Sequence, residues 1–105
     1  MCVRISFSES EMTAFIKGDI DHHTAKGIRE TIDVAIEKIN PKVLKLDFGQ
    51  VAFMDSSGIG LIMGRYRAMC MIKGKLKVVN IPKRLERMIK LSGLVSLGIF
   101  ERNGI

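Results

Sequence analysis

Tryptophan is absent from this 105-residue chain, tyrosine occurs once, and proline and cysteine occur twice each. Each scarcity excludes something. A single tyrosine leaves almost no aromatic platform on which nucleic-acid bases could stack. The cysteines, Cys2 and Cys70, lie far apart, and neither has the nearby second Cys or His that a zinc site needs, so both are read as reduced thiols. No apolar run approaches the ~20 residues that cross a bilayer. Met1 to Phe7 interleaves Arg4 with apolar side chains instead of forming the continuous apolar stretch of a signal peptide. A cytoplasmic protein without membrane contact is therefore expected. Linkers, low-complexity tracts and internal repeats are also missing. With 47% hydrophobic residues in 105 there is material for one core, so residues 1–105 are expected to form a single domain.

Acidic residues are scarce in one half only. Residues 1–55 hold seven Lys or Arg against nine Asp or Glu, residues 56–105 hold ten against two, and the whole chain carries +6. A basic half can mark a nucleic-acid surface. Here the cations are spread over several elements, so they are read as a solvated face, with an acidic protein partner as the second reading and no direct nucleic-acid contact.

What the sequence does contain is an alternation of short β-rich runs with helical patterns. "VRISF" places Val3, Ile5 and Phe7 at period two, Ser8 to Glu11 reads as a turn, and "MTAFIKG" continues as a second strand, which predicts an antiparallel hairpin. Over 24–39, Ala25, Ile28, Ile32, Ala35, Ile36 and Ile39 share one helical face, closed by Asn40 and Pro41. "VLKLDF" is the next strand. A second helix follows, with Ile59, Ile62, Met63, Tyr66, Met69 and Cys70 as its apolar stripe and Gly74 after its end. "KLKVVNI" is a strand, Pro82 suits the first turn of a helix carrying Leu85, Met88 and Ile89, Gly93 caps that helix, and "LGIFE" predicts a last short strand. Such alternation predicts an α/β fold with βαβ crossovers: a mostly parallel mixed sheet, an N-terminal antiparallel hairpin and helices packed against the sheet. Strand-to-helix loops then gather on one edge, where open α/β proteins bind ligands. Three are expected there: Gly18 to Thr24, Val51 to Gly58, and Asn80 to Pro82.

The second of these loops ends in "FMDSSGIG". Asp55, Ser56 or Ser57 can accept from the free N–H groups of the helix that begins there, and capping explains one of the three. Gly58 and Gly60 weaken the first turn by roughly 1 kcal/mol each relative to alanine. Close approach by another molecule over Gly58 is the expected compensation. Enzymatic readings fit poorly. A G-x-S-x-G elbow fails whether centred on Ser56 or on Ser57, a dinucleotide fingerprint from Gly58 meets Met63 where glycine is required, and no Gly-Lys-Ser/Thr triplet exists. A hydrolytic triad of Asp55, Ser57 and His22 or His23 is the remaining enzymatic alternative. A serine that receives chemistry suits the local physics better. A phosphate at a helix start is favoured by the dipole and free N–H groups, and it adds roughly −1.5 to −2 charge beside Asp55, Asp19 and Asp21.

"GDIDHHTA", "FMDSSGIGLIMGRYR" and "KRLERMIKLSGL" together resemble the anti-sigma factor antagonists of the STAS family, most closely those that oppose the anti-sigma-F factor of spore-forming bacteria. The resemblance runs from the first strand to about Arg102. It implies a regulator and not an enzyme, working by partner switching: the unphosphorylated form binds an anti-sigma factor that is itself a serine kinase, releasing the sigma factor. Phosphorylation of Ser57 ends that interaction, and a PP2C-type phosphatase restores the serine. The same resemblance makes Asp21, His22, Asp55 and Ser56 partner contacts and Gly58, Ile59 and Gly60 the docking turn. It implies no cofactor on this chain, with ATP or ADP held by the kinase, and a monomer when free. A STAS module of another partner-switching or stress-sensing assembly is the alternative. Ile20 and Ile59 stand where leucines are usual, Met63 stands among aliphatics, and the short tail predicts a missing or truncated final helix. Asp21 and Thr24 also suit capping of the first helix, His22 and His23 the surface, and Lys83, Arg84, Arg87 and Lys90 a solvated face.

Overall fold

Val3 to Ser8 and Glu11 to Ile20 pair antiparallel from Val3 opposite Ile16 to Ser8 opposite Glu11, closing over a two-residue turn in which Glu9 takes φ 58°. These are strands β1 (Val3–Ser8) and β2 (Glu11–Ile20) of a computed structural model that describes residues 2–101. The chain continues through α1 (Ala25–Ile39), β3 (Val43–Met54), α2 (Ser56–Met71), β4 (Lys75–Val79), α3 (Lys83–Ser92) and a 3-10 turn (Leu94–Leu97). The sheet order is β1-β2-β3-β4, with β2, β3 and β4 mutually parallel, giving the mixed α/β sheet that the alternation predicts.

Period two along the strands and the three- and four-residue steps along the helices meet in one core. Met12, Ala14, Ile16, Leu44, Leu46 and Phe48 from the sheet join Ile28, Ile32 and Ile36 of α1 and Leu61, Ile62 and Met69 of α2. The alternate residues Thr13, Phe15, Lys45 and Asp47 are half-buried; Lys45 lies 3.5 Å from Glu11, and Arg4 stacks 4.2 Å over the Phe15 ring. Helix α1 ends as its sequence requires: Asn40 turns left-handed at φ 51°, its N–H donates to Ile36 O at 2.8 Å, and Pro41 follows. Gly93 closes α3 at φ 84°, a conformation that costs a residue without Cβ little.

Four expectations change. β3 does not stop at Phe48 but runs to Met54, because β2 keeps pairing with it across two register shifts: Lys17 with Gln50, Gly18 with Val51, Asp19 with Phe53 and Ile20 with Met54. The shift interrupts the alternation by which a strand is read, so Val51 to Met54 looks like loop in the sequence. β4, by contrast, stops at Val79 opposite Asp47, and Asn80 Nδ2 bonds Asp47 Oδ2 at 2.9 Å. The Asn80 to Pro82 turn therefore lies on the same edge as the other two loops but set back from the ends of β2 and β3, which meet at Ile20 and Met54. "LGIFE" is not a strand: the left-handed Gly93 and Gly98 hold a 3-10 turn between them, and Phe100 alone bridges Val78, with Val78 N–H donating to Ile99 O and Glu101 N–H to Val78 O. Cys70 is exposed, and the buried face of α2 instead includes Leu61 and Arg65. The truncated final helix expected after the last strand lies outside the described residues. Among those residues no helix is long and apolar enough to cross a membrane.

Candidate functional site

Two strand ends make the site. Ile20 ends β2 beside Met54 at the end of β3, and Asp55 N–H donates to Ile20 O at 3.1 Å, so the start of α2 is tied to the loop that leads into α1.

That loop is braced by a reciprocal Asp–Thr pair. Asp21 Oδ1 accepts from the N–H of His23 at 2.8 Å and of Thr24 at 3.1 Å, while Thr24 Oγ1 accepts from Asp21 N–H at 3.0 Å and donates to Asp19 O at 2.9 Å. Ala25 N–H, the first of α1, donates to Asp21 O at 2.9 Å. Asp21 and Thr24 thus brace the turn that leads into α1, but the expected capping by side chain is not made: Thr24, at the N-cap, bonds no N–H of the helix itself. The two N–H groups, and secondarily the charges of His23 and His22, hold the Asp21 carboxyl below its ordinary range. His22 and His23 are exposed, their rings 3.9 Å apart.

At the start of α2 the open choice of cap is resolved in favour of Asp55. Its backbone is extended, its Oδ1 accepts from Ser57 N–H at 2.7 Å, and its carbonyl accepts from Gly58 N–H at 2.9 Å. The N–H groups expected to receive a phosphate on Ser57 are in part already taken. Ser56 is exposed. Ser57 is half-buried and lines an open cavity of about 270 Å³ with Ala25 and Arg29 of α1 and Gly60 and Leu61 of α2. Its position therefore faces a groove between α1 and α2.

Gly58 differs from its expected role as an opening for a partner. It is buried, and a Cβ there would collide with Cγ and Sδ of Met54 and come within 3.5 Å of Ile20 Cγ2, so packing inside this chain demands the glycine. Ile59 is half-buried and packs against the core, whereas Gly60 is exposed and a Cβ would meet nothing within 4 Å. Of the expected docking turn, Gly60 alone is freely accessible.

No hydrogen bond joins Ser57 to His22 or His23 among the described residues, and the nearest acid, Asp55, is engaged with the Ser57 amide. The triad reading thus lacks its base. No group of three metal-binding side chains occurs among the described residues. Sequence reasoning missed Arg29, whose only signal is that it lies four residues after Ala25 on α1. Arg84 is exposed, as expected of a solvated face, but nothing in the sequence signals its bonds: Nη2 donates to Val51 O at 2.7 Å and Nε to Ala52 O at 3.1 Å, tying α3 to the last third of β3.

The STAS domain model matches residues 4–103. The anti-sigma F factor antagonist of Paenibacillus polymyxa is 33% identical over 82 residues, 78% of this chain and 70% of that protein. The anti-sigma-B factor antagonist of Listeria monocytogenes is 31% identical over 80 residues, 76% of this chain and 69% of that one. Among solved structures, the anti-sigma factor antagonist SpoIIAA in its unphosphorylated form superposes with a TM-score of 0.81 at 26% identity, covering 94% of this chain and 85% of that chain. The phosphorylated form of Bacillus SpoIIAA gives 0.74 at 26% identity, covering 94% and 88%. These relatives are regulators and not enzymes. A mixed four-stranded sheet with the Asp-Ser-Ser-Gly turn at the end of its third strand, matched over nearly its whole length, thus makes this chain a member of the STAS family, among its anti-sigma factor antagonists.

Proposed function

We propose that the unmodified protein binds an anti-sigma factor that is a serine kinase, frees the sigma factor held by it, and is switched off when the kinase phosphorylates Ser57. In that step the Ser57 hydroxyl oxygen attacks the γ-phosphorus of ATP bound on the kinase, its proton leaves to solvent or a kinase base, and ADP departs. A PP2C-type phosphatase reverses the modification with water. The cycle takes place in the cytoplasm, with a monomer as the free form and no contact with DNA.

The observation that carries this reading is the setting of Ser57. It is the second residue of α2, in the first turn, part-exposed over an open cavity, and the carboxylates of Asp55 and the ionised Asp21 stand on the same edge. A group carrying roughly −1.5 to −2 charge there changes the rim and not the core. Its bulk and charge would meet a partner that approaches across Asp21, His22, Ser56 and Gly60. The existence of a phosphorylated form of SpoIIAA supports phosphorylation as the switch.

Incubation with the cognate kinase and ATP should add one phosphoryl group, mapped to Ser57 by mass spectrometry and abolished by Ser57→Ala. Phosphate on the Ser57→Ala chain would assign the site elsewhere. Ser57→Asp should fold normally and bind the kinase at least about tenfold more weakly, read by titration calorimetry; unchanged affinity would contradict exclusion by charge. A second reading is a stress-response antagonist, favoured by relatives of the sigma-B group at nearly the same identity as the sigma-F group. Parallel binding to purified kinases of both groups decides between them.

A further inference from the structure

We propose that Arg29 is the phosphate-pairing cation of the modified state, its guanidinium closing across the groove between α1 and α2 onto a phosphate carried by Ser57. This rests on the assignment of Ser57 as the modified residue.

Three observations lead there. Arg29 and Ser57 line the same open cavity, about 270 Å³ in size, whose other walls are small or apolar: Ala25, Gly60 and Leu61. That space holds several waters, so a phosphate fits without displacing side chains. Next, Arg29 has neither an ion pair nor a side-chain hydrogen bond among the described residues. The acid one turn further along α1, Asp33, lies 2.9 Å from Arg65 instead. Arg29 and Arg65 repel one another, an effect that adds to burial in lowering the Arg65 pKa. An anion beside Arg29 therefore gains a free cation and relieves a like-charge contact.

The third observation concerns what a phosphate on Ser57 would otherwise meet. The Ser57 amide donates to Asp55 Oδ1 and the Gly58 amide to Asp55 O, so the start of α2 already carries a carboxylate. A phosphate added there faces Asp55 with much of the helix terminus already spoken for, and a cation from another element is what offsets the repulsion. A guanidinium offers two parallel N–H donors to phosphate oxygens, which a lysine cannot match. Modification would then alter the docking rim twice, adding an anion and withdrawing Arg29 into an internal pair.

The test uses the full chain with phosphoserine incorporated at position 57 during translation, so that no kinase is required. Phosphorus NMR follows the second ionisation of the phosphate, ordinarily near 6. A paired cation favours the dianion, so this pKa should lie lower in the native background than in Arg29→Gln by about half a unit or more. Arg29→Lys should retain part of the shift. The unphosphorylated Arg29→Gln chain, altered at an exposed side chain that repels Arg65, should keep the native urea midpoint or exceed it, while the phosphorylated one should lose stability relative to its Arg29 counterpart. Identical phosphate titrations and identical midpoints with and without Arg29 would overturn the pairing. Because the phosphoserine is supplied, failure of a kinase to modify Ser57 would sink the assignment above and leave this measurement standing, and the reverse outcome would sink only the pairing.

Discussion

A methyl group at Gly58 would run into the middle of the Met54 side chain, which is 1% exposed and has nowhere to swing. Overpacking of this kind costs about 1–3 kcal/mol, of which the better helix propensity of alanine returns up to about 1. Gly58→Ala should therefore lower the urea midpoint by the equivalent of roughly 1–2 kcal/mol. Combined with Met54→Ala, it should cost less than the two single changes summed, since they share one space; strict additivity would remove Met54 as the obstacle. That one of Asp55, Ser56 and Ser57 caps α2 was legible because the chemistry lies within three residues of chain; that it is Asp55 was not. The reason for Gly58 was not, because it depends on β3 carrying Met54 inward as a strand residue, and the sequence reads that stretch as loop.

Between elements, the contact of α1 with α2 includes one buried charge. Arg65 is 5% exposed and its Nε lies 2.9 Å from Asp33 Oδ1, yet that N–H is not aimed at the oxygen and Nη1 has no partner, so the pair is a charge contact more than a hydrogen bond. Burial, then Arg29, lowers the Arg65 pKa, and Asp33 opposes both. Asp33 is partly open to water, which weakens the pair, and Asp33→Ala should cost about 1–2 kcal/mol by leaving the guanidinium without a counter-charge. Arg65→Met should be neutral or stabilising, because a thioether fills the space with no charge to desolvate. Denaturant melts of both variants check this, and a loss with Arg65→Met as large as with Asp33→Ala would refute it. Helical periodicity located both helices to within a residue or two. It could not place an arginine in the buried face, since period alone makes position 65 a polar interruption.

For the molecule as a whole, acid should loosen the functional edge through Asp21. Its folded pKa lies below the ordinary 3.8, so the folded state binds fewer protons than the unfolded chain in that range. The stabilisation from Asp21 is complete above about 3.8 and is lost as pH falls through the lower folded value. Asp21→Asn, which keeps an acceptor oxygen but no charge, should flatten the acid limb of a stability-versus-pH curve below about pH 4 while the variant stays folded at neutral pH; an unchanged limb would show that Asp21 does not couple to folding. Apolar periods, the Asn40-Pro41 and Gly93 stops and the hydroxyls at the start of α2 all follow from neighbours along the chain, where backbone hydrogen bonding and burial repeat every two or 3.6 residues. They were enough for the architecture and for a polar start to α2. How far each loop is set back on the edge, why Gly58 has no side chain, what Arg84 holds and which cation faces Ser57 depended on strand register and on how α1 lies against α2, and those are set by packing between segments distant in the chain, to which no local pattern is sensitive.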